Sequence, residues 1–202
     1  MKLRFSPTSP YVRKVMVTCI ETGQQDRIEL APTSVWDPNT DIRTVNPLGK
    51  VPALETQDGA VLFDSPVICE YLDSLHGGDK LFPADGAARW RALRQQALAD
   101  GILDASILRL LEGKRPAEQQ SADWDKRQTA AVLSALDTLE AEASDLEGPF
   151  DIGRISVAVA LGYLDFRYPG MNWREGRPAL AAWYEGMAAR PSMVETVPKD
   201  PA

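Results

Sequence analysis

The fold is decided by residues 51–66, VPALETQDGAVLFDSP. Two short apolar runs, Val51 to Glu55 and Ala60 to Phe63, are joined by a turn that contains Asp58-Gly59, a strong hairpin signal. The Asp-Ser-Pro that follows is typical of a helix start, because proline suits the first helical position. The stretch therefore predicts two antiparallel strands followed by a helix.

The residues before this stretch predict a strand, a helix and a second strand. Lys2 to Phe5 alternates, apolar residues recur at helical spacing between Val12 and Ile20, and Arg27 to Leu30 has the pattern of another strand. Residues 1–76 therefore predict a thioredoxin-like α/β domain with the order βαβ, a connection, then ββα.

The chain changes character after this unit. Residues 77–86 combine glycine, proline and aspartate and predict a polar linker. Residues 87–202 show helical periods and almost no strand pattern, so we expect an all-α helical bundle as the second domain. The helices are expected over about 87–112, 117–145, 152–167 and 178–189. The predicted class is therefore α+α/β.

Composition and charge exclude several functions. Of 202 residues, 44% are hydrophobic and 25% are charged, which is typical of a packed globular protein. The 22 basic and 29 acidic residues give a net charge of -7, which argues against a nucleic-acid partner. No apolar stretch is long enough to span a bilayer, so we expect no membrane partner.

Cysteine and histidine counts limit the compartment and the metal chemistry. A secreted domain of this size would normally carry more than two cysteines, and the N-terminus lacks the apolar core of a signal peptide. We therefore expect a soluble, cytoplasmic protein. One histidine, His76, and two cysteines cannot build the usual four-ligand zinc site, so we expect no metal.

Two segments have the residue types of a peptide-binding site. Ser9 is predicted to lie at the N-terminus of the first helix, where the helix dipole favours an anion such as a thiolate, although a helix cap explains the same residue. Pro52 cannot donate to a strand ladder, and a cis Val51-Pro52 bond would leave the Val51 backbone free to pair with a peptide. An ordinary loop that enters an edge strand is the alternative.

A third segment has the chemistry of a receptor for an amino-acid head group. Asp64-Ser65 begins the second predicted helix, where free amides attract a carboxylate and Asp64 could hold an ammonium. A plain N-cap is the alternative.

The order of these motifs resembles the glutathione transferase superfamily, in the form of a bacterial-type soluble member with a serine active site. The resemblance runs nearly end to end, and its most specific part is the pairing of Lys-Val-Pro with Asp-Ser thirteen positions later. It is carried by Ser9-Pro10-Tyr11-Val12, Asn46-Pro47-Leu48-Gly49-Lys50-Val51-Pro52, Asp64-Ser65, Leu81-Phe82-Pro83, Ala99 to Asp104, Trp183 and Ala189-Arg190-Pro191-Ser192.

The resemblance implies a role for each matching residue. Ser9 would be the catalytic hydroxyl that hydrogen-bonds the sulfur of glutathione, with Thr8 as the alternative hydroxyl. Val51 would pair with the cysteinyl backbone, and Lys50 would meet the glycyl carboxylate. Asp64 and Ser65, a pair that is more often Glu-Ser in the family, would hold the γ-glutamyl amine and carboxylate.

The resemblance also implies a homodimer. Asp104 would reach the γ-glutamyl end of the glutathione bound to the neighbouring chain; a helix surface charge is the alternative explanation. Three arginines earlier on the same helix, Arg89, Arg91 and Arg94, could answer acidic groups on the partner.

The implied function is a glutathione S-transferase of the detoxification type. It would activate the thiolate of its co-substrate, glutathione, for attack on a small hydrophobic electrophile or a peroxide. A non-catalytic interaction module and a glutathione-dependent isomerase or lyase share the same site and remain alternatives. The identity of the second substrate does not follow from the sequence.

One departure from the family pattern concerns the third long helix. The family usually begins this helix with a Ser or Thr cap and places Asp three residues later, whereas Asp151 and Arg154 occupy these positions here. We expect the cap to survive without the reciprocal acidic bond.

Overall fold

The computed structural model describes residues 1–200, which form two compact units. The first unit contains Met1–Ala84 and the segment from Pro191 onward, and the second contains Asp85–Arg190. The boundaries predicted above, with a linker at 77–86 and a helical domain to 202, remain predictions.

The first unit is built in the order that the sequence predicts. Its elements are β1 (Lys2–Phe5), α1 (Pro10–Glu21), β2 (Glu29–Pro32), a short α2 (Ile42–Val45), β3 (Ala53–Glu55), β4 (Val61–Leu62) and α3 (Ser65–Ser74). The sheet order is β2-β1-β3-β4, in which β1 and β2 are parallel and the other two pairings are antiparallel. This confirms the thioredoxin-like class.

The core of the first unit follows from the apolar periods of its strands and helices. Leu3 and Leu54 face each other across β1 and β3 and are fully buried. Helices α1 and α3 pack together through buried residues such as Val15, Ile68 and Leu72. The sheet and these two helices therefore hold the loops at the strand ends in fixed positions.

The second unit is entirely helical, which confirms the predicted class. Its long helices are α4 (Gly86–Gly113), α5 (Ala122–Ala141), α6 (Ile152–Arg167) and α7 (Pro178–Ala188). Helix α6 is buried from Ile152 to Leu164 and packs most extensively on α4. The two backbones approach closely at Gly153, where an added Cβ would lie 2.8 Å from the carbonyl oxygen of Ala92.

Several predicted boundaries shift in the structure. The second strand begins at Glu29 rather than Arg27, because residues Gln25–Arg27 form a 3-10 turn. The predicted helix over 117–145 is a shorter helix, α5, between two 3-10 turns, Ala117–Gln119 and Ala143–Leu146. Element ends depend on such tight turns, which hydrophobic periodicity does not detect.

A last helix, α8 (Pro191–Glu195), was not predicted. It packs on α1: Arg13 donates from Nη2 to the carbonyl of Met193 at 3.0 Å, and Ser192 Oγ donates to Glu21 Oε1 at 2.5 Å. Five residues carry too little periodicity to reveal a helix, so these contacts between distant parts of the chain determine it. The last two residues of the predicted second domain, 201–202, lie outside the described residues.

None of the helices described in residues 1–200 has the length and apolar character needed to span a membrane.

Candidate functional site

Strand topology brings three predicted site segments to one edge of the sheet. Arg4, near the end of β1, is paired with Ala53, where β3 begins, and Leu54 is paired with Leu62, where β4 ends. Because β3 is antiparallel to both neighbours, its beginning lies beside the ends of β1 and β4. The segments that carry Ser9, Val51 and Asp64-Ser65 therefore meet at this edge, which we call the site edge.

Ser9 is the N-cap of α1. Its Oγ accepts a hydrogen bond from the backbone N–H of Val12 at 3.3 Å, and Pro10 occupies the first turn. The hydroxyl is half-buried, and its own proton has no acceptor within residues 1–200. Ser9 thus caps the helix and still has a donor available for an anion at the helix N-terminus.

Thr8, the alternative hydroxyl, has a different environment. Its Oγ1 lies 3.4 Å from Ser6 Oγ, so the two neighbouring hydroxyls pair with each other. Thr8 does not cap the helix, and of the two hydroxyls only Ser9 is bonded directly to the first turn of α1.

The loop before β3 is organised by Asn46, which is almost completely buried. Its side chain accepts from the N–H of Leu48 at 3.0 Å and donates to the carbonyl of Lys50 at 2.9 Å. Gly49 has a positive φ of 66°, and an added Cβ there would lie 3.1 Å from Cζ of Arg43. The Asn and the Gly of the Asn-Pro-Leu-Gly segment are therefore required for the conformation of this loop.

This loop presents Lys50 and the Val51 backbone at the site edge. The Val51-Pro52 peptide bond is cis, as expected from the sequence, and Val51 lies outside the strand ladder. Within residues 1–200, neither the Val51 N–H nor its carbonyl has a hydrogen-bond partner. The Lys50 side chain is exposed and forms no ion pair within residues 1–200.

Asp64 and Ser65 lie at the N-terminus of α3, and the Phe63-Asp64 peptide bond is cis. Asp64 occupies the N-cap position, but its exposed carboxylate makes no capping hydrogen bond. Ser65 is 1% exposed, and its Oγ has no hydrogen-bond partner among residues 1–200. Asp64 therefore occupies the N-cap position without capping α3 through its side chain. The buried hydroxyl of Ser65, at the first turn of α3, still lacks a hydrogen-bond partner among residues 1–200.

Asp104 belongs to the second unit, where it lies exposed on α4. Of the arginines earlier on this helix, Arg94 binds Glu142 of the same chain through two hydrogen bonds of 2.8 Å. Arg94 is therefore ion-paired within its own unit, and a contact of these arginines with acidic groups on a partner stays a prediction.

His76 follows the C-terminal end of α3 and lies far from the hydroxyls of the site edge. Its Nε2 lies 2.9 Å from Asp73 Oδ1, and the carboxylate of Asp73 also accepts from the backbone N–H of Leu81 and Phe82. Ser65 is at the opposite end of this ten-residue helix, about 15 Å away by helix rise. His76 thus supports the segment after α3.

Comparison with known proteins agrees with this arrangement. The family model described as "Glutathione S-transferase, N-terminal domain" matches residues 8–75, and "Glutathione S-transferase, C-terminal domain" matches residues 87–186. The chain belongs to the glutathione S-transferase family. The two matches together cover the site edge and the long helices of the second unit.

Three similar proteins extend over almost the whole chain. The GST-like protein YibF of Escherichia coli (strain K12) is 36% identical over 201 residues, which is 98% of each chain. A glutathione transferase family member from Pseudomonas fluorescens Pf-5, solved with bound glutathione, is 49% identical with a TM-score of 0.94 and covers 98% of this chain and 99% of its own. A glutathione S-transferase from Methylobacillus flagellatus KT, solved with glutathione bound, is 35% identical with a TM-score of 0.93 and the same coverage.

Two residues that support the loop at the site edge were not singled out from the sequence. Arg43 donates to the carbonyl of Pro47 at 3.2 Å and lies against Gly49, and Asn46 was quoted only as part of a motif. The signal for Asn46 was its position before Pro47, where a turn-forming amide is common. The contribution of Arg43 depends on the folded loop and has no local signal.

Proposed function

We propose that this glutathione S-transferase family member binds glutathione at the site edge, ionises its thiol and transfers it to a small hydrophobic electrophile. The observation that carries the proposal is the convergence of Ser9, Val51 and Asp64-Ser65 at one end of the sheet. The two solved relatives with bound glutathione support the choice of ligand.

The charges of the site edge complement those of glutathione. The tripeptide carries two carboxylates and one ammonium. The site edge offers an exposed cation, Lys50, an exposed anion, Asp64, and the N-terminus of α3. We assign the glycyl carboxylate to Lys50 and the γ-glutamyl ammonium to Asp64. The γ-glutamyl carboxylate would then satisfy Ser65 Oγ and the first amides of α3.

The peptide part of glutathione has its own partner in the Val51 backbone. An extended cysteinyl residue offers one N–H and one carbonyl, and Val51 offers the complementary carbonyl and N–H. Pairing of this kind resembles strand addition, in which main-chain hydrogen bonds set the register of the bound peptide, but it occurs at Val51, before β3 enters the sheet. It would hold the cysteinyl sulfur towards the loop after β1.

The chemical step depends on the pKa of the bound thiol. A free thiol with a pKa of about 8.5 is mostly protonated at neutral pH. Donation from the Ser9 hydroxyl and the dipole of α1 stabilise the thiolate, so the proton is released to solvent and the pKa falls by roughly one to two units. The sulfur lone pair then attacks an electrophilic carbon, and the leaving group departs with the electrons of the broken bond.

Replacement of the catalytic hydroxyl tests this mechanism. In Ser9→Ala we expect the thiol pKa of bound glutathione to rise by roughly one unit, which lowers turnover about 10-fold near neutral pH. The difference in turnover between Ser9→Ala and the unsubstituted protein should narrow at high pH. Above the thiol pKa of glutathione bound to either protein, the thiolate forms without the Ser9 hydroxyl. The pH dependence of conjugation with a general electrophile and the thiolate absorbance of bound glutathione measure the two effects.

Thr8→Ala is the matched control, because Thr8 pairs with Ser6 rather than with the first turn of α1. We expect its pH profile to match that of the unsubstituted protein and glutathione affinity to stay within a few-fold in both variants. A shifted profile in Thr8→Ala with an unshifted one in Ser9→Ala would reverse the assignment.

Glutathione binding without turnover across a broad panel of electrophiles would favour the non-catalytic module, and turnover limited to isomerisation or elimination would favour the isomerase or lyase.

We also propose that the protein is a homodimer in which Asp104 completes the site of the neighbouring chain. The exposed position of Asp104 on α4 is compatible with such a contact. Light scattering at micromolar concentration should give the mass of two chains, and Asp104→Ala should weaken glutathione binding. The mass of a single chain would contradict both the dimer and the role of Asp104.

A further inference from the structure

Helix α1 packs against the end of the chain as well as against α3. The chain leaves the first unit after Ala84, builds the second unit and returns to the first at Pro191. The returning residues 191–196, which we call the terminal segment, contain α8 and the residue that follows it. No residue of the terminal segment belongs to the site edge, so its contacts with α1 have no role in the function proposed above.

The side chain of Arg13 joins the terminal segment to the first part of α1. Arg13 is 8% exposed, and its Nη2 donates to the carbonyl of Met193 at 3.0 Å. Its Nε donates to Thr196 Oγ1 at 3.4 Å, and that hydroxyl donates to the carbonyl of Ser192 at 2.7 Å. The guanidinium of Arg13 therefore binds the terminal segment at two points.

The backbone of the same residue is bonded to Ser9. The N–H of Arg13 donates to the carbonyl of Ser9 at 3.0 Å, and the N–H of Val12 donates to Ser9 Oγ at 3.3 Å. Arg13 thus lies one helical turn from the hydroxyl assigned to the thiolate. A continuous path leads from Ser9 through the backbone and side chain of Arg13 to the carbonyl of Met193.

The terminal segment makes a separate contact at the other end of α1. Ser192 is 1% exposed, and its Oγ donates to Glu21 Oε1 at 2.5 Å. Glu21 is the last residue of α1 and lies about 18 Å from Ser9 by helix rise. The two ends of α1 are therefore held by different residues of the terminal segment, and each can be perturbed separately.

We propose that Arg13 is a positioning residue that fixes the first turn of α1 against the terminal segment and so orients the Ser9 hydroxyl towards the sulfur of glutathione. A hydrogen bond weakens steeply as its angle departs from linearity, and a misplacement of about 1 Å lowers a catalytic rate on the order of 100-fold. Because α3 also packs on α1, loss of Arg13 alone should displace the turn only in part. The inference rests on the proposed role of Ser9.

Hydrogen exchange in the glutathione-free protein tests whether Arg13 fixes the first turn. In Arg13→Met, which retains side-chain volume without the donors, we expect the amides of Val12 and of position 13 to exchange roughly 10-fold faster relative to the core amide of Leu72. Ser192→Ala is the matched control, because it loosens the far end of α1 and should leave these two amides unchanged.

This measurement decides the structural part of the proposal whether or not glutathione binds. Unchanged relative exchange at both amides in a protein that is folded by circular dichroism would overturn the positioning role. Arg13→Gln, which removes the charge and shortens the side chain, provides the second variant if Arg13→Met does not fold.

The pH dependence of conjugation tests the effect on the thiolate. Arg13→Met should raise the thiol pKa of bound glutathione by roughly half a unit and lower turnover about 3-fold near neutral pH. Glutathione affinity should stay within a few-fold, because the residues assigned to the peptide ends are retained. Arg13→Lys keeps a cationic donor and should restore most of the pKa, and Ser192→Ala should match the unsubstituted protein.

A double variant distinguishes positioning of Ser9 from an independent effect of Arg13. If Arg13 acts through the Ser9 hydroxyl, Arg13→Met should change the thiol pKa little when Ser9 is already replaced by alanine. Additive shifts in Ser9→Ala/Arg13→Met, or an unshifted profile in folded Arg13→Met, would overturn the proposal and leave the role of Ser9 intact. An unshifted profile in Ser9→Ala alone would contradict the proposed function, and the positioning role with it.

Discussion

Glutathione affinity is expected to fall roughly 10- to 150-fold in Asp64→Ala, which corresponds to about 1.5–3 kcal/mol for a hydrogen bond between charged groups. Asp64 is exposed at the start of α3, and its carboxylate makes no capping hydrogen bond that the substitution would remove. The lost contact with the γ-glutamyl ammonium is equally strong in the ground and transition states, so turnover at saturating glutathione should survive. Calorimetric dissociation constants and saturation kinetics measure the two quantities.

Two variants control for this prediction. Asp64→Glu retains the carboxylate in the form more common in the family and should bind glutathione within a few-fold of the unsubstituted protein. Asp79→Ala removes an exposed acid from the same unit and should leave the affinity unchanged. An unchanged dissociation constant in Asp64→Ala would mean that Asp64 does not contact glutathione and that the head group is held elsewhere.

Replacement of Arg154 by methionine is expected to lower the free energy of unfolding by about 3–5 kcal/mol, the usual cost of breaking a buried ion pair. Arg154 is 4% exposed and pairs with Asp151, the N-cap of α6. It also donates to the carbonyl of Leu146 at 2.7 Å and to those of Asp145 and Glu147. Methionine fills a similar volume but leaves a buried carboxylate and three carbonyls without these donors.

Arg94→Met is the matched control for Arg154→Met. Arg94 is 56% exposed and is paired with Glu142 on the surface, so its loss should cost no more than about 1 kcal/mol. Urea unfolding followed by circular dichroism measures both variants. Similar decreases in the free energy of unfolding of Arg154→Met and Arg94→Met would contradict a larger contribution from the buried ion pair.

The same arginine shows what the sequence analysis of α6 missed. The expected cap is present, because Asp151 Oδ1 accepts from the N–H of Arg154 at 3.0 Å. The reciprocal acidic bond is absent, as expected, but Arg154 replaces it with an ion pair to the capping residue and bonds to the preceding loop. Sequence spacing identified the two positions, whereas the loop carbonyls that Arg154 satisfies come together only in the folded chain.

The site edge shows a similar division. Sequence motifs were sufficient to single out Ser9, Val51, Asp64 and Ser65, because cap chemistry and proline geometry are local properties. Their meeting at one end of the sheet depends on the register of β3 with β1 and β4. The β3–β4 pairing is a local hairpin, whereas the β1–β3 register joins distant residues such as Arg4 and Ala53 and is set by which faces of the strands are buried.

Amino-acid order alone was enough for the βαβ-ββα pattern, the helical second half and the family, because each rests on local periodicity, turn residues or motif spacing. The tertiary structure determined the features that those patterns could not reveal. Helix α8 is stabilised by contacts of Met193 and Ser192 with α1. The physical reason is that a hydrogen bond between distant residues leaves no periodic pattern in the sequence.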